Sequence, residues 1–136
     1  MSRFVLDCSV TMAWCFENHQ DDYTRGILFK LGQDEAAVPS LWPLEVANSL
    51  AVGERRKKIT RAAAAGFVSI LGGLPIFVEN DTHSRALGPI LSLAQGQALS
   101  AYDAAYLDLA IHDGLPLATR DKALRRAARA LGVPLA

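Results

Sequence analysis

Twice in this chain a short apolar run ends on an aspartate directly ahead of a helical pattern, and that recurrence restricts the fold more than any other feature. The first run is Phe4-Val5-Leu6, stopped by Asp7. The second closes the stretch from Ser100 to Asp121. There Ser100–Asp113 has helix period, with Ala104, Leu107, Ala110 and Ile111 on one apolar stripe; Gly114 stops it, and a short apolar run leads to Asp121. Positions just past the strands of an open α/β sheet border the crevice where such sheets bind ligands. The chain is therefore expected to gather carboxylates at one sheet edge.

The remaining segments alternate in the same way. Arg3 to Asp7 reads as a strand and Ser9 to Phe16 as a short helix capped by Ser9. Asp21 to Leu31 reads as a helix with Asp21 and Asp22 at its positive end, with Ile27, Leu28 and Leu31 inward, and with Gly32 as its stop. Ala36 to Pro39 is a weak second strand. Trp42 to Lys58 is the longest helix, with Pro43 in its first turn and Leu44, Ala47, Leu50 and Ala51 as the apolar face. Thr60 to Leu71 is an alanine-rich helix stopped by Gly72-Gly73, and Leu74 to Val78 is a third strand. Asp81 to Leu93 is helical with a break at Gly88-Pro89, and Gly96 closes it. Lys122 to Leu131 is the last helix, with Leu124, Ala127, Ala128 and Leu131 inward and Arg125, Arg126 and Arg129 outward; Val133-Pro134-Leu135 can add an edge strand. Strands separated by helices, without hairpin signals, predict an α/β fold of three layers around a mostly parallel sheet of four or five strands.

Composition narrows the function. At 136 residues, 51% hydrophobic and 21% charged, the chain has the size of one domain, taken here as 1–136. Fourteen basic residues balance fourteen acidic ones, which argues against coating nucleic acid by bulk charge and leaves room for a local basic patch. The two cysteines, Cys8 and Cys15, lack zinc-ligand spacing and read as reduced thiols. No signal peptide is evident, and no apolar run approaches the roughly 20 residues that span a bilayer, so a cytoplasmic protein without membrane contact is expected.

Each acid has an innocent explanation on its own. Asp103 lies three residues after Ser100, at capping-box spacing; Asp7 and Asp121 precede helices and can cap them; Glu45 lies in the first turn of a helix, where the macrodipole favours negative charge. Capping does not explain why all four issue from one side of the sheet, where right-handed crossovers bring them together. Crowded carboxylates repel, and a divalent cation is the usual remedy. Oxygen-only ligands suit Mg²⁺, with Mn²⁺ as a substitute, and an acidic cage of this kind equips a protein for metal-assisted phosphodiester hydrolysis by activated water. Asp108, five residues past Asp103 and about 140° further round the helix, is left outside the metal shell.

Four segments carry a resemblance over essentially the whole chain: Phe4-Val5-Leu6-Asp7-Cys8-Ser9, Pro43 to Leu50, Ser100 to Ala110, and Leu117-Ala118-Thr119-Arg120-Asp121. In this order and spacing they resemble the signature segments of PIN-domain ribonucleases, specifically the VapC-type toxins of type II toxin–antitoxin pairs. The resemblance implies a PIN-like fold, a Mg²⁺ site of Asp7, Glu45, Asp103 and Asp121, and supporting roles for Ser9, Thr119 and Asn48. It further implies an RNA substrate, a homodimer and a cognate antitoxin protein that reaches toward the acidic pocket. Trp14, Phe16 and the apolar faces near Leu44 and Leu50 would then serve a partner as well as the core. Arg55, Arg56, Lys57, Lys58, Arg120, Lys122, Arg125, Arg126 and Arg129 could hold RNA phosphates, although a solvated helix face accounts for most of them. Tyr102 and Tyr106 read as packing residues before base-stacking ones. A haloacid-dehalogenase-like phosphotransferase needs an aspartate where Ser9 stands, and a response-regulator receiver needs acids that Val78-Glu79-Asn80-Asp81 does not supply. The remaining alternative is a non-catalytic, metal-containing RNA-binding or regulatory module of the same fold.

Overall fold

In the sheet, β1 (Arg3–Leu6), β2 (Glu35–Pro39), β3 (Ile76–Glu79) and β4 (Leu117–Ala118) run parallel in the order β3-β2-β1-β4. This computed structural model describes residues 2–16 and 19–136. Helices α1 (Cys8–Cys15) and α2 (Asp22–Lys30) join β1 to β2; α3 (Trp42–Arg55) and α4 (Arg61–Gly72) join β2 to β3. Between β3 and β4 come α5 (Thr82–Arg85), a π-helical turn (Ala86–Ile90), α6 (Leu91–Gln97) and α7 (Ala101–Asp113), and α8 (Lys122–Ala130) follows β4.

The two inner strands explain the layering. Successive strand residues face opposite sides, yet Phe4, Val5 and Leu6 are at most 1% exposed and Ala36, Ala37 and Val38 are fully buried, so both faces of β1 and β2 are covered. Continuous apolar runs of this kind mark strands of a parallel sheet packed under helices. In register, Val5 lies opposite both Ala37 and Leu117, and Leu6 opposite Ala118. From β1 the chain steps outward through β2 to β3, then returns to pair β4 with the other edge of β1. The strand order reverses between β1 and β4, which makes their carboxyl ends the switch-point crevice.

Several expectations change under tertiary packing. Asp7, not Ser9, occupies the N-cap position of α1, and Ser9 lies inside its first turn. On α3 the buried residues are Trp42, Val46, Leu50 and Gly53, whereas Leu44 is 74% exposed. The reason is Trp42: its indole N–H donates to the buried Thr11 hydroxyl at 3.0 Å, and seating this large ring turns the helix. Leu28, Ile111 and Leu131, expected inward, are exposed. Residues 104–110 of α7 are instead buried on every side, because α7 packs against β1, β2, α6 and α8. The break expected at Gly88-Pro89 is a π-helical turn containing Pro89, whose missing N–H cannot continue the ladder. Helix α6 runs past Gly96 and ends at Ala98 in the left-handed region, φ 55°. The expected third strand is an edge strand with Phe77 and Val78 exposed, and Val133–Leu135 contributes one bridge, Leu117 to Leu135.

One ion pair pins α7 to the segment before it. Arg85 Nε and Nη2 donate to the two oxygens of the buried Asp108, at 2.7 and 2.9 Å. A carboxylate buried without its partner is costly, whereas an uncharged amide in the same place keeps one acceptor for the guanidinium. Arg85→Met is therefore expected to lower Tm by roughly 5 °C or more, and Asp108→Asn by less. Thermal unfolding monitored by circular dichroism checks this, and the opposite order would show that the pair is not what holds α7.

Candidate active site

Asp7 follows the central strand and is 4% exposed. It stands at an N-cap with extended backbone, φ −74° and ψ 145°, but its side chain makes no cap hydrogen bond. Its Oδ2 accepts instead from the Ser9 hydroxyl at 2.6 Å and the Thr119 hydroxyl at 2.7 Å. Thr119, fully buried after β4, also accepts from the Asp121 N–H at 3.1 Å, and Ser9 Oγ accepts from the Arg120 N–H at 3.1 Å. The Asp7 N–H donates to Ala118 O at 3.0 Å. Side chains from the end of β1, the first turn of α1 and the loop after β4 thus form one network at the switch point.

The other acids arrive on helix starts. Asp121 caps α8, its Oδ2 accepting from the Leu124 N–H at 2.8 Å, as its position before a helix suggested. Ser100 caps α7 by accepting from the Asp103 N–H at 3.1 Å, leaving half-buried Asp103 in the first turn. Glu45, in the first turn of α3, accepts at Oε1 from the Tyr106 hydroxyl at 2.5 Å. Asn48 is exposed and enters none of these hydrogen bonds. Asp108 is engaged by Arg85.

The four carboxylates feel one another. Burial raises the pKa of Asp7 above its ordinary value, the Ser9 and Thr119 hydroxyls oppose this, and the Asp121 charge adds to it. Burial, then repulsion from Asp7 and Asp121, pushes Asp103 up to about 6. Glu45 is raised by burial, opposed by the Tyr106 hydrogen bond, and raised further by Asp7 and Asp103. Among the described residues no three acidic, histidine or cysteine side chains lie close enough to share one ion as they stand. The acids couple across wider gaps, as repelling charges do. Burial and the charges of Glu45 and Asp7 push the Cys8 thiol up to about 12, so it is neutral and unsuited to nucleophilic attack. The same burial, with Glu45 alongside, raises the Tyr106 phenol, which stays protonated as a donor.

As a donor set the cluster is all oxygen. One oxygen each of Asp7, Glu45 and Asp121 is tethered within the fold, so these carboxylates are oriented, and such a set fits a hard cation rather than zinc. The sequence reading missed Tyr106, whose only signal was its place one helical turn after Asp103, on the same face. It also placed Arg125 outward, whereas Arg125 donates to Thr119 O at 2.7 Å and lies 5.2 Å over the Tyr23 ring.

Fold and site together define an open, parallel α/β protein with a set of coupled carboxylates at its topological switch point. The PIN domain family model matches residues 4–130, and the chain belongs to that family. PIN domains are generally nucleases. PAE2754 from Pyrobaculum aerophilum is similar in structure, with a TM-score of 0.67 and 23% identity over 93% of this chain and 79% of that one. VapBC2 from Rickettsia felis, solved bound to a DNA fragment from their promoter, gives a TM-score of 0.67 and 14% identity over 100% of this chain and 98% of that one. At these identities the likeness establishes the fold. No curated protein matches the sequence.

The shift of Asp103 has a stability consequence in metal-free protein. Its carboxyl holds a proton more tightly folded than unfolded, so its contribution to stability is greatest below pH 4 and is lost as pH rises toward about 6. Asp103→Asn removes the charge. Its stabilisation relative to wild type is expected to be near zero at pH 4 and to reach its full value by pH 7. Denaturation in chelator across this range tests the sign, and a gap that stays constant with pH would mean that Asp103 is not electrostatically strained.

Proposed function

We propose that this chain is a Mg²⁺-dependent endoribonuclease, a VapC-type toxin folded as a single PIN-like domain over 1–136, acting on RNA in the cytoplasm and inhibited by a cognate antitoxin. The observation that carries the reading is Asp7: a buried carboxylate at the end of the central strand gives up helix capping to accept from two hydroxyls, with three coupled carboxylates beside it. A purely structural acid has no reason to be buried among like charges.

Asp7, Glu45, Asp103 and Asp121 would hold the ion, Mg²⁺ or Mn²⁺. When bound, it supplies Lewis acidity toward water and phosphate oxygen. The chain's own groups do the orienting. Ser9 and Thr119 hold Asp7 Oδ2, and Thr119 also holds the backbone of Asp121 through its N–H. Tyr102 is 67% exposed one residue before Asp103, where a ring can stack on a base. Arg120, exposed beside Thr119 and 3.8 Å from Asp21, would meet a phosphate of the substrate.

A partner site also has support. Trp14, Phe16, Ile59 and Phe67 line a groove of about 1290 Å³ that is also lined by Lys57, Lys58 and Arg61, the last paired with Glu54 at 3.4 Å. An amphipathic segment with acidic residues fits its apolar floor and basic edge, and the VapBC2 neighbour comes from a two-component complex. We assign this groove to the antitoxin and expect the toxin itself to form a homodimer.

The test is cleavage of total cellular RNA by purified protein with Mg²⁺ or Mn²⁺ against chelator, with Asp103→Asn alongside. Metal-dependent cutting at a few discrete sites, reduced at least ~100-fold in the variant, is the expected result. Cutting that survives chelation, or is equal in the variant, would overturn the nuclease reading. RNA binding without cleavage would favour the regulatory module.

A further inference from the structure

We infer that Tyr106 is a positioning residue for Glu45, its hydroxyl holding one carboxylate oxygen so that the other is presented to a divalent cation; the inference rests on the metal-site reading above. Tyr106 is fully buried and is the largest side chain so enclosed. A phenylalanine would fill nearly the same space, so packing alone does not call for the hydroxyl. A buried phenol needs a partner, and this one reaches Glu45 Oε1 at 2.5 Å, a charge-assisted geometry.

The contact joins two helices far apart in sequence, since Glu45 stands in the first turn of α3 and Tyr106 in α7. Helix α7 thus carries Asp103 and, one turn later on the same face, the group that fixes a second acid. Glu45 is half-buried and repelled by Asp7 and Asp103, so without a tether its side chain gains by swinging toward solvent. Asp7 is held in a parallel way, by Ser9 and Thr119. Groups that orient metal ligands typically matter 10–100-fold in metal affinity.

The experiment titrates Mn²⁺ into the metal-free full-length chain, by paramagnetic resonance of free Mn²⁺, for wild type, Tyr106→Phe, Glu45→Gln and the double variant. Tyr106→Phe is expected to bind about 10-fold or more weakly. In the Glu45→Gln background the phenylalanine is expected to change affinity less than about twofold, because its effect runs through the carboxylate. In RNA cleavage, the metal concentration for half-maximal rate should rise about 10-fold while the rate at saturating metal stays within about threefold. If the phenylalanine variant does not fold, para-fluorophenylalanine at this position fills the hydroxyl's space without donating and takes its place in the titration. Equal Mn²⁺ affinity in wild type and variant, or losses that multiply independently in the double variant, would overturn the positioning role while leaving the metal site standing. A wild type that binds no Mn²⁺ would overturn both.

Discussion

A carboxylate buried at the end of the central strand is the constraint to which the rest of the molecule answers. Asp7 sits where β1 delivers it, almost without solvent, and burial disfavours its charged form. Within the chain, hydrogen bonds to the ionised oxygen offset that. Two come from hydroxyls, one two residues on in the helix that follows and one beyond a strand more than a hundred residues later. The pairing of β1 with β4 is what makes the second possible, since the Thr119 hydroxyl must arrive beside Leu6 and Ala118 in register. Sheet order and side-chain chemistry are therefore one problem at this edge.

Helix α7 solves a second part of it. It is buried from Ala104 to Ala110, with five of those seven positions alanine or leucine around a single tyrosine and a single aspartate. Each of its two buried polar groups is matched to one partner from another element: Asp108 to Arg85, and Tyr106 to Glu45. A buried polar group with a partner specifies how the helix sits as well as that it sits. The first pair holds the helix against the segment leading into it, and the second ties it to α3. The acids at the two helix starts, Asp103 and Glu45, inherit their positions from these contacts.

The resulting cluster is under electrostatic tension in the protein by itself. Burial and mutual repulsion raise Asp7, Glu45 and Asp103 together, while hydroxyl donors oppose the rise at Asp7 and Glu45. A fold that retains such an arrangement spends stability on it, and functional sites are where that expense is commonly found. Membership of the PIN domain family and the structural likeness to PAE2754 and VapBC2 agree on the fold that carries this cluster.

Much of this was legible in the chain, and the division is physical. Apolar runs of strand length alternating with helical periods determined a parallel α/β sheet, because period and run length reflect which faces are buried. Placement of acids just past strands or in first turns marked one edge, and the caps Ser100 and Asp121 follow from local backbone chemistry. What sequence could not determine were contacts between elements. Leu44 looked like core and is exposed because Trp42 seats against Thr11; Arg125 looked outward and instead reaches Thr119 O; Tyr106 looked like packing and is also the partner of Glu45. Local propensity is written in neighbouring residues, whereas the partner of a buried polar group is decided only when distant strands and helices close on one another.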